Sequence, residues 1–195
     1  NSSYTVETTK ALLDGGQTTI FVKDNTAQTI TLTAIAGSVS GTSGSIVVSP
    51  TPVDHYTLAF SSPQTAVAGF TGTLSARDAA EGLVQVNGSV SLSSNGNAVF
   101  YSDGTYSAAV TSATLVNGST TLYARDNVAQ SVILSASDAN GKSGASGAIT
   151  VNPAALDHYA ITAMTPRVKG QGFSETLTAR DPFGNLVLSA NNAVV

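Results

Sequence analysis

The two histidines have the surroundings that most suggest chemistry in this sequence. Each lies between an aspartate and a tyrosine, in Asp54-His55-Tyr56 and in Asp157-His158-Tyr159. A carboxylate beside an imidazole occurs in acid–base and metal sites. The triplets are 103 positions apart, so one site could contain both only if chains packed together. The spacing favours a structural role, in which the aspartate fixes a linker and the tyrosine begins a strand with its ring at a domain boundary.

A second recurring pattern is a basic residue followed by an aspartate. It occurs at Lys23-Asp24 and, with arginine, at Arg77-Asp78, Arg125-Asp126 and Arg180-Asp181. Each aspartate follows a strand pattern, so its carboxylate can accept N–H hydrogen bonds from a turn. The arginine before it is predicted to point to the opposite face, toward solvent. Neighbouring carboxylates are too few for acid–base chemistry. We therefore assign no catalytic residue and predict that the protein is not an enzyme.

Calcium is the metal that this sequence could bind, because the cation takes six to eight oxygen ligands. Asp138 and Asn140 offer two side-chain oxygens in one turn, whereas the matching stretch 36–39 has no carboxylate. The sequence lacks cysteine, which excludes thiolate sites. We predict no bound metal and no cofactor, with calcium at Asp138 and Asn140 as the alternative.

The composition limits the partners. Charged residues make up 10% of the chain and the net charge is −4, so there is no basic stripe for nucleic acid. No apolar run reaches the length of a membrane helix. A polar, weakly charged surface indicates an extracellular or cell-surface protein. The expected partners are neighbouring repeats of the same chain or identical subunits, with a surface receptor or glycan as the alternative.

The sequence repeats itself with a period of 102 or 103 residues. Residues 53–56 return at 156–159 and residues 70–78 return at 173–181, both at an offset of 103. Residues 24–28 return at 126–130, at an offset of 102. The repeat predicts three parts: the rear half of a unit at 1–50, a complete unit at 51–153 and the front half of a unit at 154–195.

Apolar and polar residues alternate within each unit, which predicts β-strands. Residues 28–34 and 70–76 alternate strictly, and turn signals such as Asn87-Gly88 and Asn117-Gly118 separate the runs. About seven short strands in 100 residues indicate a two-sheet antiparallel sandwich. In this register seven residues are predicted to be buried: Phe70, Leu74, Leu92, Tyr106, Ala108, Leu122 and Leu134.

Three phrases carry a family resemblance. The phrase Asp103-Gly104-Thr105-Tyr106 resembles filamin-type repeats and the tyrosine corner of immunoglobulin-like folds. The stretches 151–159 and 179–185 resemble the joints of bacterial immunoglobulin-like repeat arrays in large surface proteins. The resemblance implies an all-β chain of tandem Greek-key sandwiches in which the hydroxyls of Tyr4 and Tyr106 bond to backbone. The turn at 79–82 departs from its counterpart at 182–185 and is predicted to differ in structure.

Two functions are compatible with these patterns. The first is a stiff spacer or filament-building segment of a secreted or surface fibre or adhesin protein. The second is an adhesion module that binds a ligand or glycan through loops at the ends of the sandwich. The half units predict either that further repeats flank the segment or that the C-terminal half of one chain completes the N-terminal half of the next.

Overall fold

The computed structural model describes residues 9–26, 28–49 and 51–191. These residues form strands and no helix. The chain divides into two compact units, residues 1–51 and 52–195. Three parts are named below: the N-terminal segment (9–49), the central segment (52–153) and the C-terminal segment (154–191). The all-β prediction is confirmed within the described residues.

The N-terminal segment contains four short strands in two antiparallel pairs. The strands are β1 (Gln28–Ile30), β2 (Thr33–Ala36), β3 (Val39–Thr42) and β4 (Ile46–Val48). Strand β1 pairs with β4, and β2 pairs with β3. The strict alternation of residues 28–34 predicts one strand, but the ladder breaks at Leu32, whose N–H bonds to the Ser43 hydroxyl at 2.9 Å. At this break a side-chain hydroxyl therefore accepts the N–H that a neighbouring strand would otherwise accept.

The central segment contains twelve strands. They are β5 (His55–Phe60), β6 (Gln64–Thr65), β7 (Gly69–Arg77), β8 (Gly88–Ser94), β9 (Val99–Tyr101), β10 (Ala109–Val110), β11 (Ser112–Leu115), β12 (Ser119–Arg125), β13 (Ser131–Val132), β14 (Leu134–Ser137), β15 (Ser143–Ala145) and β16 (Ile149–Asn152). Their number exceeds the predicted seven because several predicted strands are interrupted. For example, β13 and β14 belong to different sheets on either side of Ile133.

The central strands form three sheets. The first has the order β10-β9-β12-β7-β5, the second β11-β8-β14-β15, and the third β13-β16-β6. The pairings are antiparallel except for β6, which runs parallel to β16 and pairs Thr65 with Asn152. The predicted antiparallel sandwich therefore also contains one parallel pair that the sequence analysis did not include. Because β5 lies in the first sheet and β6 in the third, the chain crosses between sheets at residues 61–63.

One apolar core holds the central segment together. Side chains from all three sheets contribute to it, including Leu74, Leu122, Leu134 and Ile149. Five of the seven predicted core residues are buried: Phe70, Leu74, Leu92, Leu122 and Leu134. Alternation was a reliable guide on these strands because one face of each sheet packs against the core.

The predictions for Tyr106 and Ala108 are wrong. Tyr106 lies in a turn with φ of 53°, is half-buried and belongs to no strand. Ala108 is exposed. A tyrosine with positive φ interrupts the pleat, so the alternation assumed for residues 106–110 does not apply. The following strand begins only at Ala109.

The C-terminal segment contains the antiparallel strands β17 (His158–Thr162) and β18 (Thr176–Arg180). Their register matches that of β5 and β7. His158 pairs with Arg180 as His55 pairs with Arg77, and Ile161 pairs with Leu177 as Leu58 pairs with Leu74. Strands β17 and β18 therefore correspond to β5 and β7 at an offset of 103, and the two pairs have the same register.

Candidate functional site

The turns after the strands are organised by aspartate carboxylates. In three turns one carboxylate oxygen accepts the N–H groups of the residues two and four positions later. These aspartates are Asp78, Asp138 and Asp181, with N···O distances of 2.8–2.9 Å. A short side chain that accepts two local N–H groups closes the turn without help from another strand. The residue type and its position, directly after a strand, are the signals that indicated this role.

Asp24 and Asp126 share a second pattern. Each accepts the N–H two residues later and the side-chain amide of the glutamine four residues later. The glutamines are Gln28 and Gln130, at 2.9 Å and 2.8 Å. Asp126 is fully buried. The two sites are 102 positions apart, so the hydrogen-bond pattern recurs with the sequence.

The turns at 78–82 and 181–185 have the same backbone structure, which corrects the prediction that they differ. Glu81 and Gly184 both have positive φ, 64° and 81°. Their N–H groups bond to the carbonyls of Asp78 and Asp181 at 3.0 Å in both turns. The aspartate fixes the turn in each copy, and the residue at the left-handed position changes without altering the path.

The turn at residues 181–185 also forms hydrogen bonds to the end of the central segment and to the linker that follows it. The Asn185 side chain accepts the N–H of Ala129 at 2.9 Å and donates to the carbonyl of Asn127 at 2.8 Å. The Asp181 carboxylate accepts the N–H of Ala154 at 2.9 Å. Three hydrogen bonds therefore tie the turn after β18 to the loop after β12 and to the linker after β16. The matching residue of the earlier turn is Gly82, which has no side chain for such contacts.

Asp181 is the buried charged residue in this group of contacts. Burial raises the pKa of its carboxyl, but hydrogen bonds from the Asn185 side chain and from the N–H groups of Ala154, Asn185 and Phe183 outweigh burial and lower the pKa below the usual 3.8. The carboxylate is fully buried and stays ionised near neutral pH. Sequence reasoning assigned a turn role to Asp181 but missed Asn185, although the contrast with Gly82 was visible in the aligned turns.

Tyr56 links two sheets of the central segment. Its ring is buried in the core, and its hydroxyl donates to Asp138 at 3.0 Å across 82 residues of sequence. Burial, followed by this hydrogen bond and the charge of Asp138, raises the pKa of Tyr56 to about 12. The expectation that the ring lies at a domain boundary is therefore corrected, since the ring packs in the core. Tyr159, its counterpart, is exposed.

Both carboxylate oxygens of Asp138, the candidate calcium ligand, accept hydrogen bonds within the protein. One Asp138 oxygen accepts the N–H groups of Asn140 and Lys142, and the other accepts the Tyr56 hydroxyl. Burial raises the pKa of this carboxyl, while the bonds from Lys142, Tyr56 and Asn140 lower it by more, so that the net shift is downward. Among residues 9–26, 28–49 and 51–191 there is no cluster of three metal-ligating side chains.

The histidines lie beside carboxylates and far from each other in sequence. His55 Nδ1 is 3.1 Å from Asp54 and its Nε2 is 3.4 Å from Glu81, while His158 Nδ1 is 2.8 Å from Asp157. The two aspartate side chains contact these imidazoles and, for Asp54, also Lys142. The predicted bonds from Asp54 and Asp157 to linker backbone are not found among the described residues.

The arginines of the Arg-Asp pairs lie against the protein and do not extend into solvent, which corrects that prediction. Arg77 donates to the Thr57 hydroxyl and to the Glu81 carbonyl. Arg180 donates to the Gly184 carbonyl. The guanidinium of Arg125 lies 4.9 Å from the ring centre of Tyr106 and 5.6 Å from that of Tyr101. Long side chains on strand ends can cover neighbouring groups in this way.

Tyr106 makes no tyrosine corner. Its hydroxyl has no hydrogen bond to backbone within the described part of the chain, and its ring instead fills the space above Gly69. A Cβ at Gly69 would lie 2.1 Å from that ring, so the glycine makes the contact possible. Tyr101 and Tyr123 pack edge-on against the same ring. Tyr4, predicted to be equivalent, lies outside the described residues.

Comparison with known proteins gives structural likeness alone. No known family and no curated protein matches the chain. The structure of surface layer protein SbsC, domains 1–6, is similar with a TM-score of 0.41 and 16% identity over 83% of this chain and 20% of that one. The S-layer protein rSbsC(31-844) gives 0.40 and 16% over 86% and 21%. SbsC domains 4–9 give 0.41 and 15% over 83% and 25%.

The chain thus spans about a fifth to a quarter of the length of those structures. Within the described residues, no helix is long and apolar enough to cross a membrane.

Proposed function

We propose that this chain is a run of tandem immunoglobulin-like repeats and serves as a stiff spacer or filament-building segment of a secreted or cell-surface protein. The observation that carries the proposal is the recurrence of the hydrogen-bond network at the sequence offset. Leu32 N–H bonds to the Ser43 hydroxyl as Leu134 N–H bonds to the Ser146 hydroxyl. Since side-chain bonds, strand registers and turn bonds all recur, each part has the local structure of one common unit.

The strand order supports the immunoglobulin-like assignment. In sequence order, β5, β7, β9 and β12 take the places of strands A, B, D and E, and they pair in the order A-B-E-D. Strands β8, β14 and β15 take the places of C, F and G and pair in that order. Both sheets contribute to one core. This order is the one expected of an immunoglobulin-like Greek-key sandwich and supports that part of the proposal.

The contacts at the joint support a stiff connection. The chain passes from β16 to β17 through five residues, Pro153 to Asp157, and proline fixes its own φ. The bonds of Asp181 and Asn185 hold the next turn against the end of the central segment. A short linker whose Ala154 N–H is held by Asp181 of the following segment restricts bending.

The composition supports an extracellular, non-enzymatic role. A surface of Ser, Thr, Asn and Gly with 10% charged residues suits a displayed repeat, and the proposal includes no cofactor and no metal. Binding of a receptor or glycan through the sandwich ends is the alternative interpretation of the sequence. No observation on the described residues favours it.

Force–extension measurement on single molecules tests the spacer role. We expect one sharp rupture that releases roughly 330–360 Å, the extended length of about 100 residues. The buried Leu74→Ala variant should lower the rupture force because it leaves a cavity in the core, while Leu188→Ala, at an exposed site, should not. Smooth extension without a rupture would contradict a mechanically resistant unit.

A further inference from the structure

Asparagine followed by glycine recurs in the turns of the central segment. The sequence contains four such pairs, which are Asn87-Gly88, Asn95-Gly96, Asn117-Gly118 and Asn140-Gly141. In a pair of this kind the glycine nitrogen can attack the side-chain carbonyl carbon of the asparagine, because glycine has no Cβ to hinder the approach. The attack requires that the side chain and the glycine nitrogen can move toward each other. The folded structure therefore decides which of the four pairs can react.

Two of the pairs are held by their side-chain oxygens. Asn87 Oδ1 accepts the N–H of Asn117 at 2.9 Å, and Asn95 Oδ1 accepts the N–H of Ile133 at 2.8 Å. The N–H of the glycine after Asn95 also donates to a serine hydroxyl, at 3.1 Å. Rotation of either asparagine side chain toward the next backbone nitrogen therefore breaks a hydrogen bond to a distant part of the chain.

The third pair is held at its glycine. Gly118 is buried, and its N–H donates to the Val86 carbonyl at 2.7 Å. A Cβ at this glycine would lie 2.1 Å from the carbonyl oxygen of Val84, so the backbone here is closely packed. The nitrogen of Gly118 therefore cannot approach the side chain of Asn117 unless the turn opens.

The fourth pair lacks these restraints. Asn140 and Gly141 are exposed, and a Cβ at Gly141 would meet no atom within 4 Å. The Gly141 N–H donates to the Asp138 carbonyl at 3.3 Å, which is longer than the usual range of about 2.7–3.2 Å for N–H···O bonds. The side-chain amide of Asn140 faces the Asp138 carboxylate. Within the described residues no group donates a hydrogen bond to its Oδ1.

We propose that Asn140 is a site of spontaneous deamidation and that it reacts before the other three asparagines while the protein is folded. The Gly141 nitrogen forms a bond to Cγ of Asn140 and loses its proton, and the side-chain nitrogen leaves as ammonia. The product of this step is a cyclic succinimide. Water then adds to one of the two succinimide carbonyls and opens the ring. The final residue is aspartate or isoaspartate, and no oxidant or cofactor takes part.

The reaction changes the turn between β14 and β15, which Asp138 holds. The carboxylate of Asp138 accepts the N–H groups of Asn140 and Lys142 and the hydroxyl of Tyr56. Either product adds a negative charge beside this carboxylate, and isoaspartate also adds a methylene group to the backbone. Both changes weaken the hydrogen bond to the Lys142 N–H. The corresponding stretch 36–39 has no asparagine, so this modification is specific to the central segment.

Ageing of the purified chain in mildly alkaline buffer, followed by proteolysis and mass spectrometry, measures the four sites separately. In the folded chain Asn140 should convert to aspartate and isoaspartate severalfold faster than the other three asparagines. Asn87 and Asn117 form a matched internal pair, because both lie in the sequence Val-Asn-Gly-Ser. In concentrated urea all four sites should react at similar rates, since unfolding removes the hydrogen bonds that distinguish them.

Asn140→Gln is the control variant, because its longer side chain closes the corresponding ring much more slowly. After ageing, amide hydrogen exchange at Lys142 should be severalfold faster in the unmodified chain and unchanged in the variant. Equal rates at all four asparagines of the folded chain, or faster reaction at another asparagine, would overturn the proposal. Unchanged exchange at Lys142 in chains that carry isoaspartate would overturn the effect on the turn. These results do not depend on the spacer role, which the force–extension measurement tests separately.

Discussion

At the scale of single residues, short polar side chains replace backbone partners. The carboxylates of Asp78, Asp138 and Asp181 each collect two N–H groups of the turn that follows. Hydrogen bonds to charged groups contribute about 1.5–3 kcal/mol each, more than neutral ones. The conformation of such a turn depends on its aspartate. This explains why the turns 78–82 and 181–185 have the same backbone structure although one has Glu81 and the other Gly184 at the same position.

The Tyr56 hydroxyl should matter to stability and the Tyr106 hydroxyl should not. Tyr56→Phe removes the donor to Asp138 and is expected to cost about 1–2 kcal/mol in the free energy of unfolding. Tyr106→Phe removes a hydroxyl that has no hydrogen bond within the described residues, so we expect a change within about 0.5 kcal/mol. Urea unfolding of the two variants measures both values. Equal effects would contradict the assignment of the Asp138 bond to Tyr56.

The cost of Tyr56→Phe should depend on pH. Because folding raises the pKa of Tyr56 from 10.0 to about 12, its contribution is present below pH 10 and is lost as pH rises toward 12. Because folding lowers the pKa of Asp138 from 3.8, the carboxylate contribution is present above pH 3.8 and is lost as pH falls through the lowered value. The difference between the unmodified chain and the variant should therefore be largest near neutral pH. A difference independent of pH would contradict the bond.

At the scale of elements, the joint after the central segment should open locally when its clamp is removed. Asn185→Gly copies Gly82, the residue of the earlier turn, and deletes the acceptor of the Ala129 N–H. We expect amide hydrogen exchange at Ala129 to accelerate about tenfold, which corresponds to about 1.4 kcal/mol. The neighbouring Val128 N–H, bonded to Asp126, serves as an internal control and should not change. Equal acceleration at both amides would indicate general loosening.

The elements that the sequence predicts best are those whose pattern is local. Alternation located β7 and β8 and their buried residues, because one face of each strand meets the core. The turn at Tyr106 escaped prediction because the ring position depends on Gly69, a strand residue 37 positions earlier with no side chain. The parallel pair β6–β16 and the hydrogen bonds of Asn185 were not predicted, for the same reason. Each depends on contacts between parts that are distant in sequence.

At the scale of the whole molecule, the period of 102 or 103 residues is the main organising feature. The insertion that separates the two offsets lies in the turn between β14 and β15, where residues 138–142 replace 36–39. Pairing on both sides of the insertion keeps its register, since Ala136 pairs with Gly144 as Ala34 pairs with Gly41. The inserted residue therefore lengthens the turn without shifting the strands on either side of it.

Oxidative cross-linking tests this account most directly, because the chain has no cysteine of its own. In the central segment Thr73 and Thr121 are paired and exposed, and a Thr73→Cys, Thr121→Cys variant should form a disulfide within one chain. A disulfide needs Cα atoms about 4.4–6.8 Å apart, which strand partners satisfy.

Oxidised Thr73→Cys, Thr121→Cys protein is expected to run as a single chain of altered mobility on a non-reducing gel, and reduction should return it to the mobility of the unmodified chain. The disulfide should form without linking chains to one another. If the two cysteines do not form a disulfide, or form one only between chains, the register of β7 with β12 and the central sandwich built on it are contradicted.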